Sequence, residues 1–236
     1  MKIIALAALV GAFLLLPARA DLTIVQKVDG ISPEMSTMTI KIKGERARIE
    51  VNPQMTTIID SKSGDILNLM NSEKKFLRIP GAKARAVAEM AIASDKKDQP
   101  ATKPQLKSTG KKETINGYEC VEYTCDAPSF QATYWIAPKY PDAAAIVQQL
   151  QAMTPQAWGV SGKGMPDYRD FPGVPLRSRV VVNGKEITST LVSLKQEPLA
   201  EAEFQAPPGY QEMKMPDLDA LLGGKAKPSR PVPSPK

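Results

Sequence analysis

Met38-Thr39-Ile40-Lys41-Ile42-Lys43-Gly44-Glu45-Arg46-Ala47-Arg48-Ile49-Glu50-Val51 reads as two strands joined by a tight turn. Met38, Ile40 and Ile42 alternate with Thr39, Lys41 and Lys43; after Lys43-Gly44-Glu45, the residues Ala47, Ile49 and Val51 alternate with Arg46, Arg48 and Glu50. Alternation of period two puts apolar side chains on one face and charges on the other, the signature of half-buried antiparallel strands. The pattern extends across Leu22 to Pro80. Met55 to Ile59, Ile66 to Met70 and Phe76 to Ile79 are further short runs, separated by Asp60-Ser61-Lys62-Ser63-Gly64 and Asn71-Ser72-Glu73-Lys74. Five or six strands joined by short turns make a meander.

Toward the C-terminus the pattern changes twice. Alanines between Ala82 and Ala93, with Val87, Met90 and Ala91 at helical spacing, predict a helix after the Pro80-Gly81 break. Ser94 to Lys112 is polar and reads as a loop, and a meander resumes with Thr114 to Cys125 and Phe130 to Ile136. Pro141-Asp142 opens a second helix whose apolar stripe is Ile146, Val147, Leu150 and Met153. A Gly/Pro loop from Thr154 to Pro175 follows. Leu176 to Val182 and Lys185 to Leu194 flank Asn183-Gly184, a strong hairpin signal. The expected fold class is α+β: one large curved antiparallel sheet with two or so helices packed on its concave face.

The chain of 236 residues carries a formal charge of +6, and both ends account for it. Met1-Lys2, the apolar run Ile3 to Leu16 and the small residues Ala18 and Ala20 form a signal-peptide pattern over residues 1–20, with cleavage expected after Ala20. At ~1.5 Å per residue that run spans about 21 Å, short of a ~30 Å hydrocarbon core, and no cysteine near the cleavage site offers a lipid anchor. Lys2 and Arg19 belong to this segment, and Lys225, Lys227, Arg230 and Lys236 to a Pro-rich tail over residues 224–236, read as disordered. The body, residues 21–223, is left with equal numbers of acids and bases and is expected to form a single domain. A basic face for nucleic acid loses its support. The expected location is periplasmic or secreted, with no transmembrane span.

Catalytic chemistry is narrowed by composition. The chain has no histidine and only two cysteines, which removes Ser-His-Asp and Cys-His catalysis, imidazole metal sites and four-cysteine clusters. No cofactor and no metal site is expected. Cys120 and Cys125, five apart on one strand, would stand about 16 Å apart on opposite faces, which opposes a disulfide, although export to an oxidising compartment favours pairing. The acid pairs Glu119 and Glu122, Asp167 and Asp170, and Glu201 and Glu203 read as exposed charges rather than glycosidase carboxylates. Asp60 to Asp65 lacks the spacing of a calcium loop, and Gly162 and Gly164 that of a phosphate loop.

Four stretches, in order, carry a family resemblance. They are Thr39 to Arg48; Thr57-Ile58-Ile59-Asp60 through Leu67-Asn68-Leu69-Met70 to Lys74-Lys75-Phe76; Ile115-Asn116-Gly117-Tyr118-Glu119-Cys120; and Phe204-Gln205-Ala206-Pro207-Pro208-Gly209-Tyr210. Together they resemble the secreted bacterial domain-of-unknown-function family 4412, which is similar to the LolA/LolB lipoprotein-carrier type of fold. The resemblance covers Leu22 to Met213. It implies a half-open antiparallel β-barrel wrapped around helices, with an apolar cavity for acyl chains.

The functional expectation is a non-catalytic exported envelope protein, not an enzyme, binding an acyl chain or another hydrophobic ligand. Met38, Ile40, Ile42, Ile49, Ile59, Leu69 and Val87 are the candidate lining residues. Trp158, Met165, Tyr168 and Phe171 in the Gly/Pro loop form either a lid or contact surface, or a plug of ordinary core. The alternative function is an interaction module whose interior is filled by its own side chains. A lipid or a lipoprotein acyl chain is the expected partner, and no nucleic acid is.

Overall fold

The computed structural model describes residues 20–30, 36–94, 105–127, 130–153, 167–182 and 184–215. Residues 1–19, where most of the expected signal segment falls, the expected tail, Trp158 and Met165 lie outside them. Among the described residues, twelve strands form one open, curved sheet. They are β1 (Leu22–Asp29), β2 (Thr37–Lys43), β3 (Arg46–Asn52), β4 (Met55–Asp60), β5 (Ile66–Met70), β6 (Lys75–Ile79), β7 (Lys107–Ile115), β8 (Tyr118–Ala127), β9 (Phe130–Ala137), β10 (Val174–Val182), β11 (Lys185–Gln196) and β12 (Gln211–Met213). Their spatial order is β12-β6-β5-β4-β3-β2-β1-β11-β10-β9-β8-β7. Helix α1 (Gly81–Ser94) follows β6, and α2 (Ala143–Leu150) lies between β9 and β10 in sequence. All neighbours run antiparallel except β12, which is parallel to β6.

The meander forms where alternation places it. Ile40 lies opposite Ile49 and Ile42 opposite Ala47, so their side chains share one face. That inner face carries α2: Ile146, Val147 and Leu150 pack with Leu22, Ile24, Ile40, Ile42, Tyr134, Ile136, Leu176 and Leu191 in one cluster. Its hydrophobic stripe is what the sequence marks out, and it seats the helix on the strands.

One hairpin is misplaced by the sequence reading. The run Thr114 to Cys125 is not one strand, because Asn116 (φ 50°) and Gly117 (φ 82°) turn the chain between β7 and β8. Two successive positive φ angles define the tight hairpin turn that Asn-Gly favours. Strand β7 therefore begins at Lys107, inside the stretch read as loop. Its residues up to Thr114 are exposed, so no apolar alternation announces it.

A second core lies where the sequence does not announce one. Ile58, Leu67, Leu69 and Phe76 point to the outer face, where Phe204 covers them, with Leu199, Ala206 and Tyr210 packed alongside. The covering segment, residues 199–210, is a strap held by charges. Lys41 Nζ donates to Glu203 Oε2 at 2.5 Å, Arg48 Nη1 to the Glu203 carbonyl at 2.9 Å, and Arg46 to Glu201. Asp21 ties the start of the sheet to the strap: its carboxylate accepts from Lys43 Nζ and from the Leu199 amide, both at 2.8 Å.

These pairs set an acid limit on the strap. The Arg46 hydrogen bond holds Glu201 below its ordinary value of 4.5, and the Lys41 hydrogen bond does the same for Glu203. A carboxylate with a depressed folded pKa contributes stability that is complete above its unfolded value and lost as pH falls through the folded one. Lys43, raised above 10.5 by its hydrogen bond to Asp21, behaves oppositely: its contribution is complete below 10.5 and lost as pH rises through its folded value. Urea midpoints are expected to fall as pH drops from about 6 to about 3, and to fall less in Glu203→Gln.

Cys120 and Cys125 are both free and buried. Cys125 lies opposite Ala132 on the inner face, whereas Cys120 lies opposite Glu113, whose carboxylate pairs with Arg177 on the other side. Burial raises both thiols above their ordinary pKa, which disfavours the thiolate.

Candidate functional site

The inner face divides into two unequal halves. Beneath α2 it is filled. Ile24, Gln26, Ile40, Leu150, Tyr168 and Leu191 are among the residues that line a cavity of about 30 Å³, the space of roughly one water molecule. Small-molecule pockets run to about 300–1,000 Å³, so this cavity is too small for an acyl chain as it stands. Phe171 is buried in the same cluster and meets Tyr134 edge-on at a centroid distance of 5.1 Å; Tyr168 stacks on Phe171, also at 5.1 Å. Phe171 is core here, and half-buried Tyr168 forms part of the cavity wall. Gly173 makes this seat possible, since a Cβ there would lie 2.3 Å from the Ala137 carbonyl oxygen. Burial pushes the Tyr134 phenol up and that of Tyr168 up to about 12, so neither is poised for proton transfer near neutral pH.

Strands β3 to β6 form the other half. Register places Ile79, Ile66, Ile59 and Ala47 in one row across the inner face. Leu77, Asn68, Thr57 and Ile49 make the next, and Lys75, Met70 and Met55 the third. Ile49, Ile66, Met70, Leu77 and Ile79 are only half-buried, and Met55 is 54 % exposed. Asn68 and Thr57 put a polar pair in the middle row, the Asn68 side-chain oxygen accepting from the Thr57 hydroxyl at 2.9 Å, and Lys75 adds a cation at the rim. Across four strands spaced ~4.8 Å apart, the surface measures about 14 Å, and β6 adds about 13 Å along its length.

The seven candidate lining residues separate accordingly. Ile40 and Ile42 are buried in the filled half, with Met38 and Ile49 packed against the same cluster. Ile59 lies on the inner face and is buried. Leu69 does not line that face: it sits opposite Phe76 in the outer core, because its neighbour Asn68 takes the inner position. Val87 on α1 is 47 % exposed, and among the helix residues whose side chains are described Gly81 and Ala84 are the buried ones. The sequence reading misses Ile66, Met70, Leu77 and Ile79. Strict alternation along β5 and β6 is the available signal, once Lys75 is counted as an inner-face position.

Among the described residues, no group of three or more Cys, Asp or Glu side chains is arranged to hold a metal ion. No helix among them is long and apolar enough to cross a membrane. A family model described as a domain of unknown function, DUF4412, matches residues 24–210, from the first strand to the end of the strap. The chain belongs to the DUF4412 family. Comparison with curated proteins finds no match. Among solved structures, PNGF-II in one crystal form is 11 % identical, with a TM-score of 0.42 over 82 % of this chain. This DUF4412 chain spans 31 % of the PNGF-II chain. The Mycobacterium tuberculosis lipoprotein LppX is also 11 % identical, with a TM-score of 0.39 over 77 % of this chain and 88 % of its own.

Proposed function

We propose that this DUF4412 protein is a non-catalytic exported envelope protein that holds the apolar chain of a lipid-like ligand on the inner face of β3 to β6. The observation that carries the reading is the surface of Ile66, Met70, Leu77 and Ile79, grouped around Asn68 on the inner face and only half-buried. Water against such a surface is costly, and monomeric proteins rarely leave apolar area of this kind open without a use. Burying about eight methylenes there contributes roughly 6 kcal/mol at ~0.8 kcal/mol each, before ordering costs. Non-enzymatic action fits a chain without histidine, whose two tyrosines at the filled end keep their protons.

A second reading, an interaction module with a filled interior, draws support from the other half, where α2 leaves only about 30 Å³. The readings part on one measurement. Native mass spectrometry of residues 21–236, purified without detergent and titrated with palmitate, should give a 1:1 adduct. A protein that stays bare and leaves palmitate unbound at high micromolar concentration is a filled module.

A further inference from the structure

The open half of the inner face has a charged end. Along β6 the inner positions run Ile79, Leu77, Lys75, and Lys75 lies opposite Met70, which lies opposite Met55. The apolar column therefore finishes in a cation between Met70 on β5 and Gln211 on β12, with Met55 beyond Met70, at the rim where the chain turns from β5 into β6. Lys75 Nζ is paired with Glu73 at 3.0 Å, and both side chains are about half exposed, at 42 % and 55 %. Such surface pairs contribute little and exchange readily, so the ammonium is available to another acceptor. Lys74, next to it in the turn, is exposed and makes no ion pair among the described residues. The rim thus carries two cations and one acid, a surplus of a single positive charge.

We infer that the ligand is a single-chain amphiphile with one carboxylate, its chain lying on Ile79, Ile66, Leu77 and Met70 and its headgroup against Lys75. The inference rests on the reading of β3 to β6 as an acyl site and names which amphiphile that site takes. One carboxylate matches the single surplus charge, whereas a phosphate monoester brings closer to two. A lysine stem extends the apolar column by its own methylenes before presenting charge, which suits an amphiphile lying along it. At the far end of the column β6 itself places no cation on the inner face, since Arg78 has outer register and pairs with Glu212. Orientation therefore follows from the strand: headgroup at the β5–β6 turn, chain toward the start of α1.

The test uses residues 21–236 and three sixteen-carbon probes of equal chain length: palmitate, hexadecanol and hexadecyl phosphate, each competing against a fluorescent fatty-acid analogue. Palmitate is expected to bind about 10-fold more tightly than hexadecanol. Lys75→Gln should remove most of that advantage, weakening palmitate far more than hexadecanol, and Lys75→Arg should restore it. Raising salt should weaken palmitate alone. Equal binding of acid and alcohol, or an unaltered preference in Lys75→Gln, overturns the headgroup assignment and leaves the acyl site standing. Hexadecyl phosphate binding more than 10-fold tighter than palmitate overturns the carboxylate. If none of the three probes binds, the acyl site itself fails, and this inference falls with it.

Discussion

Phe204→Ala is expected to destabilise the protein by about 3–5 kcal/mol, the usual cost of truncating a buried aromatic. Phe204 is the strap's contribution to a cluster whose other buried members, Ile58, Leu67, Leu69 and Phe76, come from three adjacent strands. Its ring also carries the Arg46 guanidinium at 5.4 Å from the centroid. Loss of the ring leaves four large side chains facing solvent or a void, and the Arg46 pair with the largely exposed Glu201 offsets little of that. Hydrogen exchange gives the readout that separates this from general unfolding. Amides of residues 199–213 should lose protection at low denaturant, while those of α2 and β9 keep theirs. Equal loss of protection throughout would show that the two faces unfold as one unit.

Leu150→Ala is expected to cost about 2.7–5.0 kcal/mol, and to create something in doing so. Leu150 is 4 % exposed and already borders the small cavity beneath α2. Removing its branched end adjoins new volume to that space, and the lining is apolar apart from Gln26 and the Tyr168 hydroxyl. Apolar cavities of this kind stay dry and bind benzene or xenon. Benzene should therefore raise the melting temperature of the variant and leave the parent unchanged. Palmitate affinity should change little, because its proposed seat is the other half of the face. A large gain in palmitate binding by Leu150→Ala would move the ligand under α2.

Most of the sheet is legible in the sequence because most of its strands alternate against one buried face. Met38 to Val51 can be read with its faces correctly assigned, since charged or polar residues occupy every second position. The reading of Leu69 fails for a physical reason: where both faces of a strand are covered, apolar side chains on the outer face look like inner ones. Ile66 faces inward, and Leu67 and Leu69 face outward, yet all three are aliphatic side chains on one short strand. Only the strap, arriving from more than a hundred residues downstream, makes the outer position of Leu69 a core position. Helix α1 misleads in another way. Its alanines favour a helix whether or not a face is buried, so Val87 looks like a lining residue yet stands in solvent. The candidate site is legible only in part, because half-buried residues such as Leu77 and Ile79 carry the same pattern as fully buried ones.

Sheet order has a consequence for how the chain reaches its final state. Strand β1 lies between β2, its immediate successor, and β11, which begins more than 150 residues later. The first meander can pair as soon as it is made, but one flank of β1 has no partner until β11 has been made. Closing so long a loop is slow, and an unsatisfied apolar edge is a site for mispairing in the meantime. Completion of the chain through β11, rather than any local step, is therefore the event that lets the two halves of this sheet join.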